Sequence, residues 1–120
     1  DFDRLGGFDE RYFLFYEDID LCLRANQHGI PTELAAGWVV EHLGAHSTSS
    51  RFAAALQWSY ESGCRFHRAH GHPVAAFRLY VVADATLRSV AHLVRRDRRA
   101  AAAYRRLAGL AARELLSRSD

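Results

Sequence analysis

Two carboxylates, Glu17 and Asp18, close a run of five bulky residues, Tyr12-Phe13-Leu14-Phe15-Tyr16, and a glycine pair, Gly6-Gly7, stands just upstream. A carboxylate beside aromatic rings has two chemical uses. It can accept a first-turn N–H that lacks an intrahelical partner, or it can take a proton from a substrate as a general base. Spacing alone leaves both open for Asp18. Adjacent side chains diverge on helical and on extended backbone, so Glu17 and Asp18 are not the facing carboxylates of a glycoside hydrolase. Asp20 and Arg24 are spaced i,i+4, which suits a structural ion pair. Among the histidines, His67, His70 and His72 invite a zinc reading, but no Cys or carboxylate nearby completes a tetrad and Gly71 separates two of them, so a solvated helix end is expected.

The elements that must hold these groups follow from periodicity. Gly6-Gly7 predicts a turn, and residues 12–16 suit a buried strand or extended loop. A helix is expected over 19–28, with Ile19, Cys22 and Leu23 on one face, Gly29 as its stop and Pro31 forbidding continuation. Residues 32–35 read as a short strand, Ala36-Gly37 as a turn, and 38–42 as a second strand in which Trp38, Val40 and His42 share a face. Two short strands cannot bury a sheet face alone, so this piece wants more sheet from elsewhere. After a serine-bearing loop, Phe52, Leu56 and Tyr60 define a helix ending near His70-Gly71. Phe77, Val81, Leu87, Val90 and Val94 define another over 74–94, and Tyr104, Leu107, Ala111 and Leu115 a last one over 100–116. The Arg95-Arg96-Asp97-Arg98-Arg99 run reads as a solvated junction or a continuous helix surface.

Composition sets the outer bounds. The chain has 120 residues, 49% of them hydrophobic, enough for one small core. No Met occurs, and a fragment or processed piece is expected. No run free of Arg, Asp and Glu exceeds nine residues, against roughly 18 or more needed to span a bilayer. Residues 1–64 carry four Arg against ten acids, a charge of −6, whereas 65–120 carry twelve Arg against four, a charge of +8. An acidic front and a basic tail imply different neighbours. The tail could meet an anionic membrane surface or be a wet helix face; aromatic residues are not interleaved with its Arg cluster, which argues against nucleic acid. Cys22 and Cys64 lack any C-x-x-C spacing and read as reduced packing thiols of a cytosolic protein.

Taken in order, Gly6-Gly7-Phe8-Asp9-Glu10, Phe13, Tyr16-Glu17-Asp18-Ile19-Asp20-Leu21, Arg24, Gly29, Val40-Glu41-His42 and Gly44 resemble the C-terminal half of the catalytic domain of family 2 glycosyltransferases, rhamnosyltransferase-like or galactofuranosyltransferase-like. The resemblance covers residues 1–50. It implies an α/β fold, the acceptor-side end of a Rossmann-like GT-A catalytic domain over 1–50, followed by a helical C-terminal tail over 51–120. It implies inverting transfer of a sugar from a nucleotide-sugar donor to a glycan or lipid-linked acceptor in cell-envelope or polysaccharide synthesis, in the cytoplasm or at the inner face of the membrane. By the same resemblance Asp18 is the catalytic base. Gly6, Gly7, Phe8, Tyr12 and Glu17 line the acceptor side, and His42 helps hold Mg²⁺ or Mn²⁺ on the donor diphosphate; His46 stays a spare loop histidine. No Asp-x-Asp following a strand and no nucleotide-binding βαβ unit is present, so the donor half is expected upstream and the chain alone is expected to be inactive. The rival reading is a non-catalytic helical interaction or membrane-surface module.

Overall fold

A computed structural model describes residues 1–33, 36–37, 39, 41 and 51–117. A 3-10 turn at Asp3–Leu5 leads through the aromatic run into helix α1, Glu17–Gln27; then follow α2, Phe52–Ala69, α3, Val74–Val94, and α4, Arg98–Leu116. The described residues contain no strand. This overturns the expectation of an α/β, Rossmann-like GT-A fragment. Thr32, Glu33, Val39 and Glu41 belong to no regular element, and the remaining residues of the two expected strands lie outside the described ones. The aromatic run is no strand either, because Phe15 and Tyr16 adopt φ values of 67° and 70°, and left-handed residues break an extended ladder. Helices α2, α3 and α4 share one core without a sheet.

The helix boundaries follow local chemistry. α1 ends as Gly29 predicts, in a left-handed stop at φ 72° where Gly29 N–H reaches Asn26 O (3.0 Å) and Ile30 N–H reaches Ala25 O (2.9 Å), the paired bonds of a Schellman motif. α2 stops the same way at Gly71, with His72 N–H on His67 O at 2.8 Å. Pro73 opens α3 with its fixed φ. Asp97 caps α4 by accepting the Ala100 N–H at 3.0 Å, which also holds its carboxyl below the usual range.

α3 and α4 form an antiparallel hairpin. Ser89 Oγ donates to Ala101 O (2.9 Å) at the turn end and Arg78 Nη1 to Glu114 O (3.3 Å) at the far end. Buried Ala100, Ala101, Ala103 and Ala111 let the two axes approach closely. α2 lies across the pair. Its Tyr60 and Cys64 join Val74, Val81 and Ala111 in the core, with Phe77, Val82, Leu107 and Leu110 around them. Tyr60 Oη donates to Glu114 Oε2 at 2.6 Å, and burial with that carboxylate raises the phenol pKa. The expected inward pattern of α3 holds for Val81 and, half-buried, Phe77. It fails for Leu87, Val90 and Val94, which are exposed.

Candidate functional site

The aromatic run presents Glu17-Asp18 from a strained turn. Two consecutive non-glycine residues in the left-handed region cost about 1–3 kcal/mol each and persist only where surrounding packing fixes them. α2 supplies that packing. The Ser62 hydroxyl donates to Leu14 O (2.8 Å), Phe13 meets the Trp58 ring edge-on at 5.0 Å, and Tyr16 sits 5.4 Å from Phe66 and 6.5 Å from Phe77. Gly63 is required there, since a Cβ would come within 2.7 Å of the Phe77 ring and 3.1 Å of Tyr16 Oη.

Tyr16 is the residue preceding α1, and no side chain caps the helix. Asp18 does accept an orphan first-turn N–H, that of Ile19 at 2.8 Å, but from inside the helix. Its Oδ1 is so engaged; Oδ2 carries no hydrogen bond among the described residues, and the side chain is exposed. Beside it, Glu17 is half-buried and its Oε2 is shut off from solvent with no hydrogen-bond partner among the described residues. Leaving a buried acceptor unmatched costs about 1–3 kcal/mol.

Behind this surface lies a polar hub that sequence reasoning anticipated only in part. Asp20, 2% exposed, accepts from Arg24 Nε at 2.7 Å, contacts His70 Nε2 at 2.8 Å and lies 3.4 Å from Tyr12 Oη. The expected Asp20–Arg24 pair therefore forms. Arg24 goes further: its Nη1 and Nη2 donate to Leu5 O (2.5 Å) and Gly7 O (2.8 Å), fixing the glycine turn against α1. That turn has Gly6 and Gly7 at φ 75° and 68°, and Gly7 packs under the Phe2 ring. With Leu5, Asp9, Arg11 and Arg24 the two glycines line a depression of about 280 Å³. Asp9 is held at its rim by Arg11 through bonds of 2.6–3.0 Å, which lowers its carboxyl to about 2.

The six acceptor-side and catalytic residues expected from sequence thus separate. Gly6 and Gly7 line the depression, whereas Phe8 is exposed against Phe2 (5.4 Å). Tyr12 is buried, and burial with Asp20 alongside pushes its phenol up to about 12. Glu17 and Asp18 stand on the first turn of α1, outside the wall of that depression. His42 and His46 lie outside the described residues. The expected inward face of α1 is corrected: Ile19 and Cys22 are exposed and Asp20 and Ala25 are buried. Asp20 is inward because its charge is matched there, a reason invisible to apolar periodicity.

The solvated helix end expected for the histidine trio is also corrected. His70 is buried on Asp20, its side chain 10% exposed, and packs on Phe66 at 4.7 Å. His67 stacks on Phe77 at 4.6 Å, and burial with His72 nearby lowers its pKa. Only His72 is exposed. Among the described residues no three His, Cys, Asp or Glu side chains converge as metal ligands. Cys22 and Cys64 are free thiols, the first exposed and the second buried.

Over about half its length the chain is similar to bacterial sugar transferases. It is 38% identical over 66 residues to rhamnosyltransferase WbbL of Escherichia coli (strain K12), a match covering 55% of this chain and 25% of that protein. It is 39% identical over 61 residues to the N-acetylglucosaminyl-diphospho-decaprenol L-rhamnosyltransferase of Mycobacterium tuberculosis (strain CDC 1551 / Oshkosh), covering 51% of this chain and 20% of that one. The same values hold for strain ATCC 25618 / H37Rv. The match thus spans a quarter or less of the relatives' length. No family model and no solved structure matches the chain.

Proposed function

We propose that the protein carrying this chain is an inverting glycosyltransferase. It moves a sugar, rhamnose being the first candidate, from a nucleotide-sugar donor to a glycan or lipid-linked acceptor in cell-envelope or polysaccharide synthesis. The similarity to rhamnosyltransferases supports the reaction class. The observation that carries the site is the strained Phe15-Tyr16 turn, which α2 holds in place just ahead of an exposed Asp18 whose Oδ2 carries no hydrogen bond among the described residues.

In this reading an acceptor hydroxyl is drawn to Asp18 at that edge of α1. As the nucleophilic oxygen forms its bond to the anomeric carbon from the face opposite the leaving group, its proton passes to Asp18 Oδ2. The bond to the nucleotide diphosphate breaks, and the diphosphate leaves with the electron pair. A general base so placed contributes typically about 10²–10⁴-fold. The Ile19 N–H on Oδ1 fixes the orientation of the side chain.

The divalent cation, Mg²⁺ or Mn²⁺, belongs to the proposal through His42, and when bound would neutralise charge on the leaving diphosphate. The described residues offer no ligand set for it, so each step above rests on Asp18. Loss of Mn²⁺-dependent donor binding in His42→Ala tests that assignment.

The decisive experiment is Asp18→Asn in the full-length protein, assayed with nucleotide-sugar and acceptor. Turnover is expected to fall about 10²–10⁴-fold while the melting temperature is preserved, because the side chain is exposed. Normal turnover in the variant would remove the base assignment.

A further inference from the structure

Helix α3 turns its apolar side outward. Leu79, Ala83, Leu87, Val90 and Val94 recur at three- and four-residue steps along one face, flanked by Tyr80 and Leu93. Leu87 is 69% exposed and Val94 79%. The opposite face, packed on α2 and α4, buries Val81 and Ala85 but also the polar Arg78 and Ser89. The helix's charged residues all avoid the outward face. Arg78 is buried, and Asp84 and Arg88 pair with each other at 2.7 Å on the flank toward Tyr104. An uncharged stripe about 23 Å long is left, far more continuous than the scattered exposed apolar residues of an ordinary surface. No helix among the described residues is long and apolar enough to cross a membrane.

The turn at the end of this stripe is strongly basic. Arg95, Arg96, Arg98 and Arg99 are all exposed, and none makes a salt bridge among the described residues. The one acid among them, Asp97, is spent on the Ala100 N–H and on His92, 3.3 Å away. We propose that the outward face of α3 lies on an anionic lipid surface, with leucine and valine side chains entering the acyl boundary and the arginine turn on headgroup phosphates. Charge decides between this and a second copy of the chain. Two copies packed stripe to stripe in parallel would set the arginine turns against each other. In antiparallel packing each arginine turn would face the α2–α3 corner, where residues 65–83 contain no carboxylate. Anionic headgroups match both the apolar stripe and its basic end. The inference stands on this helix alone and is independent of the transfer reading.

The test is flotation of the full-length protein with phosphatidylcholine vesicles, with and without phosphatidylglycerol. Binding is expected only where phosphatidylglycerol is present, and is expected to weaken as salt rises. The double variant Leu87→Asp/Val90→Asp should lose binding at least tenfold. Neutralising Arg95, Arg96, Arg98 and Arg99 to Gln should weaken it about fivefold per arginine. Unchanged far-UV circular dichroism would confirm that these exposed substitutions leave the fold intact. Absence of vesicle binding, or binding indifferent to the aspartates, overturns the proposal. So does concentration-dependent self-association that the aspartates abolish while vesicles stay unbound, which would assign the face to a second copy.

Discussion

Replacing Asp20 with alanine is expected to destabilise the chain by about 3–5 kcal/mol, the range for removing one partner of a buried ion pair. The structure supports the upper part of that range. Asp20 is 2% exposed and holds two short contacts, to Arg24 Nε at 2.7 Å and His70 Nε2 at 2.8 Å. Each hydrogen bond to a charged group contributes about 1.5–3 kcal/mol. The 3.4 Å approach of Tyr12 Oη adds little. Without the carboxylate, the Arg24 guanidinium, whose side chain is 22% exposed, keeps its two carbonyl acceptors but loses its counter-charge. His70 loses the contact that ties α2 to α1. Urea unfolding followed by circular dichroism should show the loss as a lowered midpoint with an unchanged slope, and the melting temperature should fall by roughly 10–20 °C. Because Arg24 also clamps Leu5 O and Gly7 O, hydrogen exchange at the glycine turn should accelerate in the same variant. A loss below about 1 kcal/mol would refute the argument that this hub is matched charge by charge, and would mean that α1 is held mainly through the ring contacts of Phe13 and Tyr16 ahead of it.

Gly63→Ala should cost about 1–3 kcal/mol by overpacking, since the added methyl meets the Phe77 ring and Tyr16 Oη; thermal melts measure it, and a neutral result would show that the strained aromatic turn is free to shift. Acid should destabilise in two stages. His67 has a lowered folded pKa, so its contribution is complete above the unfolded value of about 6.5 and is lost as pH falls below it, where only the unfolded chain takes the proton. Asp9, held at about 2 by Arg11, contributes fully above its ordinary value and loses that contribution as pH drops toward 2. Urea midpoints measured from neutral to acid pH should trace both, and His67→Gln should flatten the upper stage.

The order of helices was legible in the sequence because its signals are local. Gly29 and Gly71 stop α1 and α2 in the left-handed conformation that glycine adopts without penalty. Pro73 sets the start of α3, and the spacing of Asp20 and Arg24 by four residues places their ion pair on any helix. The acids at the start of α1 were equally readable, since their position after the ring run depends on nothing distant. The α/β class came from the family resemblance and the two short strands expected over 32–35 and 38–42, whereas the described elements are all helical; apolar runs shorter than a helix do not declare their partner. Residues 12–16 look like a strand until Ser62, Trp58 and Phe66, roughly fifty residues away, bend them into left-handed turns.

The sequence by itself determined, to within two or three residues, where the helices begin and end, because capping, glycine stops and periodicity act over a few residues. Only the tertiary structure decided which faces are hidden. His70 leaves solvent for Asp20, Arg78 goes inside, and Leu87, Val90 and Val94 go outside. A periodic apolar pattern fixes that a helix has a preferred side, whereas the side that is covered depends on which distant element arrives first to match its charges and fill its gaps.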